Sequence, residues 1–309
     1  MSGPVTTDDA PAEPVHDEPH PCEVEVIEGR AAEVGGFAVR RVLPRRPRRT
    51  VGAWCFVDHM GPGGVSRDRG LDVGPHPHIG LHTVTWLLEG ELLHRDSLGS
   101  EQLIRPGQLN LMTAGRGVSH SEETSGIYEG PLHGIQLWVA QPEATRHGPP
   151  AFEHHPELPA IEVGSGLATV LVGAVEGAAS PARRDTDLLG VDLDLRAGRA
   201  ALPLDPSHEH ALVVVSGRLR VRATELVPGQ LAYLGTGLDE LHLEVDEPVR
   251  ALLLGGEPFP DQLLMWWNYV ARTRDEVTEA HRAWSSGDER FGTVASPLAR
   301  IDVAGPPWA

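Results

Sequence analysis

The chain has 309 residues and a formal net charge of −18, from 44 acidic and 26 basic residues, and every basic residue is arginine. That balance argues against non-specific nucleic-acid binding, which needs a basic face, and no apolar run approaches the ~20 residues of a membrane-crossing helix. The two cysteines, Cys22 and Cys55, argue against a disulfide framework and fit a reducing cytoplasm.

Residues 1–22 are acidic and proline-bearing, with no basic start leading into an apolar stretch. They read as a disordered tail rather than a secretory signal. From residue 23 the texture becomes short alternating or apolar runs separated by Gly, Pro and Asp, and nothing between 23 and 145 carries a long helical period. Val24–Ile27, Phe37–Val39, Ala53–Val57, Thr83–Leu88, Leu109–Thr113 and Gly134–Val139 are spaced as in an all-β barrel or sandwich. Six arginines at 40, 41, 45, 46, 48 and 49 read as a solvated loop and strand end.

Residues 76–122 hold the chemistry. His76/His78 and His120/Glu122 are each spaced i, i+2, so on extended strands each pair shares a face and can point into one cavity. Pro77 biases His76 toward an extended backbone. Three imidazoles and one carboxylate, with no cysteine, suit a first-row transition metal with positions left open, whereas structural zinc usually brings Cys. Glu122 is the ligand that could exchange coordination for proton transfer, and so the candidate catalytic group.

Residues 141–159 are rich in Pro, His and Glu and read as an inter-domain linker. Short strands then resume at Ala168–Val172, Gly190–Leu195, Ala211–Val215, Leu219–Val221, Leu231–Leu234, Leu241–Val245 and Val249–Leu254. Thr273-Arg274-Asp275-Glu276 is a capping box, opening a helix expected to run to about Trp284. The apolar segment 262–272 before it is a second, weaker helix candidate. The Trp266-Trp267 pair reads as packing.

An approximate internal repeat links the halves. His76-Pro77-His78, Leu88-Glu89-Gly90 and Pro106-Gly107-Gln108-Leu109 answer to His208-Glu209-His210, Val215-Ser216-Gly217 and Pro228-Gly229-Gln230-Leu231. This argues for two copies of one β-barrel unit. The repeat sets His242 and Glu244 opposite His120 and Glu122, but the apolar alternation of Leu241–Val245 should turn both to solvent. His208 and His210 follow Pro206 on an expected exposed loop. A second metal site is not expected.

These residues resemble the bicupin family called pirins. The likeness runs from His76-Pro77-His78-Ile79-Gly80 through Glu89-Gly90-Glu91 and His94-Arg95-Asp96-Ser97-Leu98-Gly99 to Met112-Thr113-Ala114-Gly115-Arg116-Gly117 and His120-Ser121-Glu122. Asp58-His59-Met60-Gly61-Pro62, Gly134–Val139 and Leu254-Gly255-Gly256-Glu257-Pro258 extend it over nearly all of residues 30–285. The resemblance implies an all-β chain of two cupin (double-stranded β-helix, jelly-roll) barrels with a short C-terminal helical segment. The metal-binding barrel would span residues 23–145, and a barrel without a functional metal site residues 146–309. It places His76, His78, His120 and Glu122 at the ligand positions of one iron ion, Fe2+ or Fe3+, with manganese, nickel or zinc as lesser substitutes. It also implies quercetin 2,3-dioxygenase activity on a flavonol-like substrate with O2. Other members are iron-dependent, redox-sensitive partners of transcription factors or metabolic enzymes.

Where many pirins carry Glu, this chain has His82, whose strand parity need not aim it at the metal. His59, His82, His94, Asp96 and Gln136, with Asp58, are candidates to support the ligands, since a metal-bound imidazole usually donates its other N–H to a fixing partner. The polar turns and Arg116 are expected at the entrance. Gly-x-Ser-x-Gly, Walker A and Cys-x-x-Cys patterns are absent. Three functional readings follow: a dioxygenase, a redox-sensitive regulator whose arginine cluster meets a protein partner, and an O2-independent isomerase of a sugar or keto acid. A monomer without membrane association is expected.

Overall fold

The computed structural model describes residues 24–66, 70–124 and 128–308. The expected disordered tail, with Cys22, lies outside these residues. The fold is all-β, built as two cupin barrels. Each barrel pairs a seven-stranded sheet with a four-stranded one.

In the first barrel the larger sheet runs Ala151–His155, Leu109–Thr113, Leu81–Glu89, Gly130–Ala140, Trp54–Val65, Phe37–Leu43, Arg30–Val34. The smaller runs Val73–His78, Val118–Glu123, Leu92–Asp96, Glu101–Ile104. In the second barrel the larger sheet runs Glu25–Glu28, Gln230–Gly235, Glu209–Ser216, Val249–Gly256, Leu188–Leu195, Gly166–Val172, Ala160–Val163. The smaller runs Gly198–Pro203, Glu240–Val245, Leu219–Val221, Thr224–Leu226. Two strands sit away from their sequence neighbours. Glu25–Glu28 pairs with Gln230–Gly235 of the second barrel, and Ala151–His155 with Leu109–Thr113 of the first. Part of the expected linker is therefore strand.

The seven-stranded sheets pack face to face. Because side chains alternate across a strand, Val84, Trp86, Ile135, Leu137, Val139 and Trp54 of one sheet meet Val213, Val215, Leu252 and Leu254 of the other. The opposite parity fills each barrel. Leu212, Val214, Leu253 and Leu193 form the apolar interior of the second. In the first, two apolar clusters flank a polar centre, one around Met60, Val73 and Leu87, the other around Phe56, Met112 and Trp138.

The capping box opens the helix as expected: the Thr273 side chain accepts from the Glu276 amide, and the helix Arg274–Ser286 ends on left-handed Gly287. Its buried face of Val277, Ala280 and Trp284 packs with Trp266, Trp267, Tyr269 and Phe291. The segment before it is a β-hairpin, Leu264–Trp266 with Tyr269–Ala271, rather than a helix. Its two-residue turn holds Trp267 at φ 53, a left-handed conformation that costs a bulky residue of order 1–3 kcal/mol and persists only when packing fixes it. No helix among the described residues is long and apolar enough to cross a membrane.

Candidate metal centre

Three imidazoles converge inside the first barrel. His76 and His78 lie on Val73–His78, and His120 on the antiparallel neighbour Val118–Glu123, with His76 directly opposite His120. Alternation puts all three on the inner face. Their ring centroids are 4.4 to 5.0 Å apart, and one nitrogen of each lies within 4.8 Å of the others. All three are buried.

The hydrogen bonds decide which nitrogen faces the centre. A carbonyl can only accept, so His76 Nδ1–H donates to Gly74 O at 2.9 Å and His78 Nδ1–H to Asn268 O at 3.0 Å. Each neutral ring then keeps its lone pair on Nε2. His120 reaches the same state through a relay. Its Nδ1 lies 3.3 Å from His94 Nδ1, and His94 Nε2 lies 3.1 Å from Asp96 Oδ2. With Asp96 ionised, His94 Nε2–H donates to it and His120 Nδ1–H donates to His94. Burial opposes the charge on Asp96, but hydrogen bonds from His94 and Ser100 outweigh it and hold the carboxyl below its ordinary range. His94 is also stacked at 4.4 Å on Phe152, from the strand Ala151–His155 within the expected linker.

Burial lowers His76 to about 4, and burial with the neighbouring imidazoles takes His78 and His120 well below their ordinary value. Neutral rings are the form that binds metal. His78 Nε2 and His120 Nε2 stand 3.1 Å apart. Two lone pairs at that distance repel, and a shared cation relieves the repulsion, so the donor set fits a transition metal.

Glu122 is less tightly gathered. A register shift between His120 and Glu122 displaces it along the strand. It is half-buried, lines the same cavity, and its Oε1 lies 3.4 Å from Thr85 Oγ1. Burial pushes its carboxyl upward.

Close approach of the C-terminal segment fixes the floor. A Cβ on Gly74 would stand 2.0 Å from Ala299 O, and Ile301 N donates to Pro75 O at 2.9 Å. Gly80, at φ 68, passes so near the hairpin that a Cβ would meet Val270 O at 2.2 Å. These contacts hold one end of the His76/His78 strand against the C-terminal segment and the other against the hairpin that supplies the Asn268 carbonyl. Sequence reasoning missed Asn268, because a backbone carbonyl leaves no side-chain signature.

The remaining candidates divide. His94 and Asp96 join the cluster. Gln136 lines the cavity but accepts from Thr85 Oγ1 at 2.9 Å rather than touching an imidazole. Asp58 also lines it, and takes a bidentate pair from Arg41, with Nε to Oδ1 at 2.7 Å and Nη2 to Oδ2 at 2.6 Å. The expected solvated arginine run is thus corrected, since Arg41 is only 2% exposed. Arg48, part-buried, lies over the Tyr233 ring at 3.5 Å and pairs with Glu25. His59 points to the other side of its strand, 2.8 Å from His133 Nε2. His82 shares parity with Val84 and Trp86 and faces the second barrel, between Thr113 Oγ1 at 2.9 Å and Asp185 Oδ2 at 3.1 Å. Arg116 is exposed and lines a separate surface cleft with Arg146 and Arg290, not the entrance.

In the second barrel His242 and Glu244 are exposed. His208 and His210 are buried, not exposed, because Glu209–Ser216 runs straight into the apolar layer and places His210 on the face of Leu212 and Val214. Neither ring nitrogen of His210 has a partner among the described residues, and burial lowers its pKa to about 4. An unmatched buried polar group costs roughly 1–3 kcal/mol. His210→Leu is therefore expected to raise the unfolding free energy at pH 7.5 by about 1–2 kcal/mol in urea titrations. The unfolded imidazole, at about 6.5, binds a proton that the folded one refuses, so wild-type stability is full above that value and falls as pH drops toward 4. At pH 5 the gap between variant and wild type should widen by about 2 kcal/mol.

The sequence pattern described as Pirin matches residues 36–139, and the Pirin C-terminal cupin domain pattern matches residues 190–292. A Pseudomonas aeruginosa protein named "Putative quercetin 2,3-dioxygenase" is 46% identical over 294 residues, covering 94% of this chain and 93% of that one. A crystal structure titled as quercetin 2,3-dioxygenase from Acinetobacter baumannii superposes with TM-score 0.89 at 45% identity, covering 92% of this chain and 96% of the other. The bacterial pirin YhhW of Escherichia coli, titled as a nickel(II) complex, gives TM-score 0.61 at 18% identity over 76% of this chain and all of that one, a likeness of fold. With both patterns matched in order and close relatives over almost the whole length, the chain belongs to the pirin family.

Proposed function

We propose that the protein is an iron-dependent dioxygenase of quercetin-like flavonols or related enediols, with His76, His78, His120 and Glu122 holding one iron ion in the first barrel and the second barrel carrying none. The observation that carries this reading is the convergence of three Nε2 lone pairs in one cavity. The names of the close relatives support the substrate class. Bound there, the ion would lower the pKa of the substrate hydroxyl and hold substrate and O2 side by side.

The protein's own groups do the rest. Phe56, Met60, Val73 and Trp138 give the cavity apolar walls that exclude water and accept a flat aromatic ring. Of the two carboxylates on those walls, Asp58 is committed to Arg41. Glu122 is the one left to exchange its hold on the ion for the substrate hydroxyl proton. Asp96 and His94 hold His120 Nδ1 as a donor, which keeps His120 Nε2 on the substrate side.

One observation favours the regulatory reading instead. The hollow beside the imidazoles has a volume of about 40 Å³, room for a few waters and far below the ~300 Å³ of a typical ligand pocket. A flavonol therefore enters only if the lining of the hollow rearranges. Metal analysis with O2 uptake separates the readings. One iron per chain and quercetin-dependent O2 consumption support the dioxygenase. Bound metal without consumption supports the regulator, and no transition metal after anaerobic reconstitution defeats both.

A further inference from the structure

The wall of the cavity facing the imidazoles carries a line of polar residues set by register. Arg41 is opposite Asp58, Asp58 opposite Gln136, and Gln136 opposite Thr85. Four adjacent strands of the seven-stranded sheet thus place one polar residue each on the same transverse row, between apolar rows containing Phe56 and Trp138 on one side and Met60 on the other. Three of the four line the cavity.

Most of the row's hydrogen-bonding capacity is used internally. Arg41 Nε and Nη2 both go to Asp58, and Thr85 Oγ1 goes to Gln136 Oε1. Arg41 Nη1 and Gln136 Nε2 take no part in these bonds, and neither is among the fully buried polar atoms that lack a partner, so each keeps access to the cavity its residue lines. The guanidinium is almost wholly buried and packed over the Phe56 ring at 4.4 Å. A guanidinium N–H that opens onto a cavity and is not used by the protein is available to a ligand oxygen. Their strands flank that of Asp58, so at 4.7–4.9 Å per strand the two backbones lie roughly 10 Å apart.

We infer that Arg41 anchors the substrate, taking an oxygen acceptor on the end remote from the metal, with Gln136 as the nearer donor and Asp58 as the residue that positions the guanidinium. This rests on the dioxygenase reading and narrows its substrate class to flat aromatic compounds with a distal hydroxyl or phenolate oxygen. A ring carrying only the metal-facing hydroxyl leaves Arg41 Nη1 unmatched, and leaving such a donor unpaired is what gives a polar site its discrimination. Arg41 stands on an interior strand of the large sheet, paired on both sides, which fixes its backbone.

The test compares anaerobic binding of quercetin and of 3-hydroxyflavone, which lacks the distal hydroxyls, to the metal-loaded protein by tryptophan fluorescence. Wild type is expected to bind quercetin at least tenfold more tightly. In the double variant Arg41→Leu/Asp58→Leu, which removes both charges together and so strands neither, the ratio of the two dissociation constants should collapse at least tenfold. Arg41→Lys, which keeps the charge opposite Asp58 without the planar fork, should give an intermediate ratio, and serves if the double variant does not fold. An unchanged ratio in the folded double variant, or in Arg41→Lys where that alone folds, overturns the assignment, as does a wild type indifferent to the distal hydroxyls. If wild type binds neither flavonol, the flavonol reading itself fails and the anchor falls with it.

Discussion

Replacing His120 with alanine is expected to take bound metal from about one ion per chain to below roughly a tenth, and quercetin-dependent O2 uptake down by roughly a thousandfold. His120 sits between the other two imidazoles and the relay to Asp96, so its loss removes a ligand and unties His94 at once. His94→Ala should be milder, weakening metal affinity by about 10–100-fold, because it removes only the partner that fixes the His120 tautomer. Elemental analysis of both variants after dialysis against a defined metal concentration gives the comparison. Equal losses would mean that His94 is itself a ligand. No loss in His120→Ala would remove that residue from the site.

The second large effect is expected at Trp54, where nothing chemical happens. Its side chain is fully buried between the two large sheets, and its Nε1 donates to Leu189 O at 3.0 Å and Gly255 O at 3.1 Å across the interface. Gly190 makes room for it, since a Cβ there would approach the indole to 2.8 Å. Trp54→Ala should cost about 3–5 kcal/mol, from lost burial and the cavity left behind, and lower Tm by roughly 10 °C in a thermal scan. Trp54→Phe keeps most of the apolar contact and should lose much less. If the two variants melt together, the shared hydrogen bonds rather than the packing hold the interface.

The cluster of three imidazoles was legible in the sequence because it obeys a local rule. His76 and His78 are an i, i+2 pair, and strand alternation turns that spacing into a shared face, whereas the register shift after His120 displaces Glu122 from the rule. The same rule, applied to Phe37-Ala38-Val39-Arg40-Arg41, would have sent Arg41 inward with Phe37 and Val39. The surrounding charge run masks that parity and points to solvent instead. His210 is masked in a similar way, since Pro206 suggests a loop while the run Ala211–Val215 announces a buried strand. Parity also explains His82, which follows Val84 and Trp86 away from the metal. What no local pattern could give were partners distant in sequence: the Asn268 carbonyl on His78, Phe152 on His94, and Ala299 over Gly74. These depend on where the chain returns, and any residue type could have supplied two of the three contacts.

The reciprocal placement of Glu25–Glu28 and Ala151–His155 makes the two barrels a clasp rather than beads on a string. Severing the chain near residue 146 would strip each half of one outer strand held by the other. The Leu109–Thr113 ladder would lose its cover on one side, and the Gln230–Gly235 ladder on the other. Each half would then present an unpaired row of amides and carbonyls, the kind of edge that recruits foreign strands. The first half would also lose the Asn268 carbonyl that orients His78. The arrangement of the three imidazoles is therefore a property of the interlocked whole, since chain that follows the second barrel returns to orient one of them.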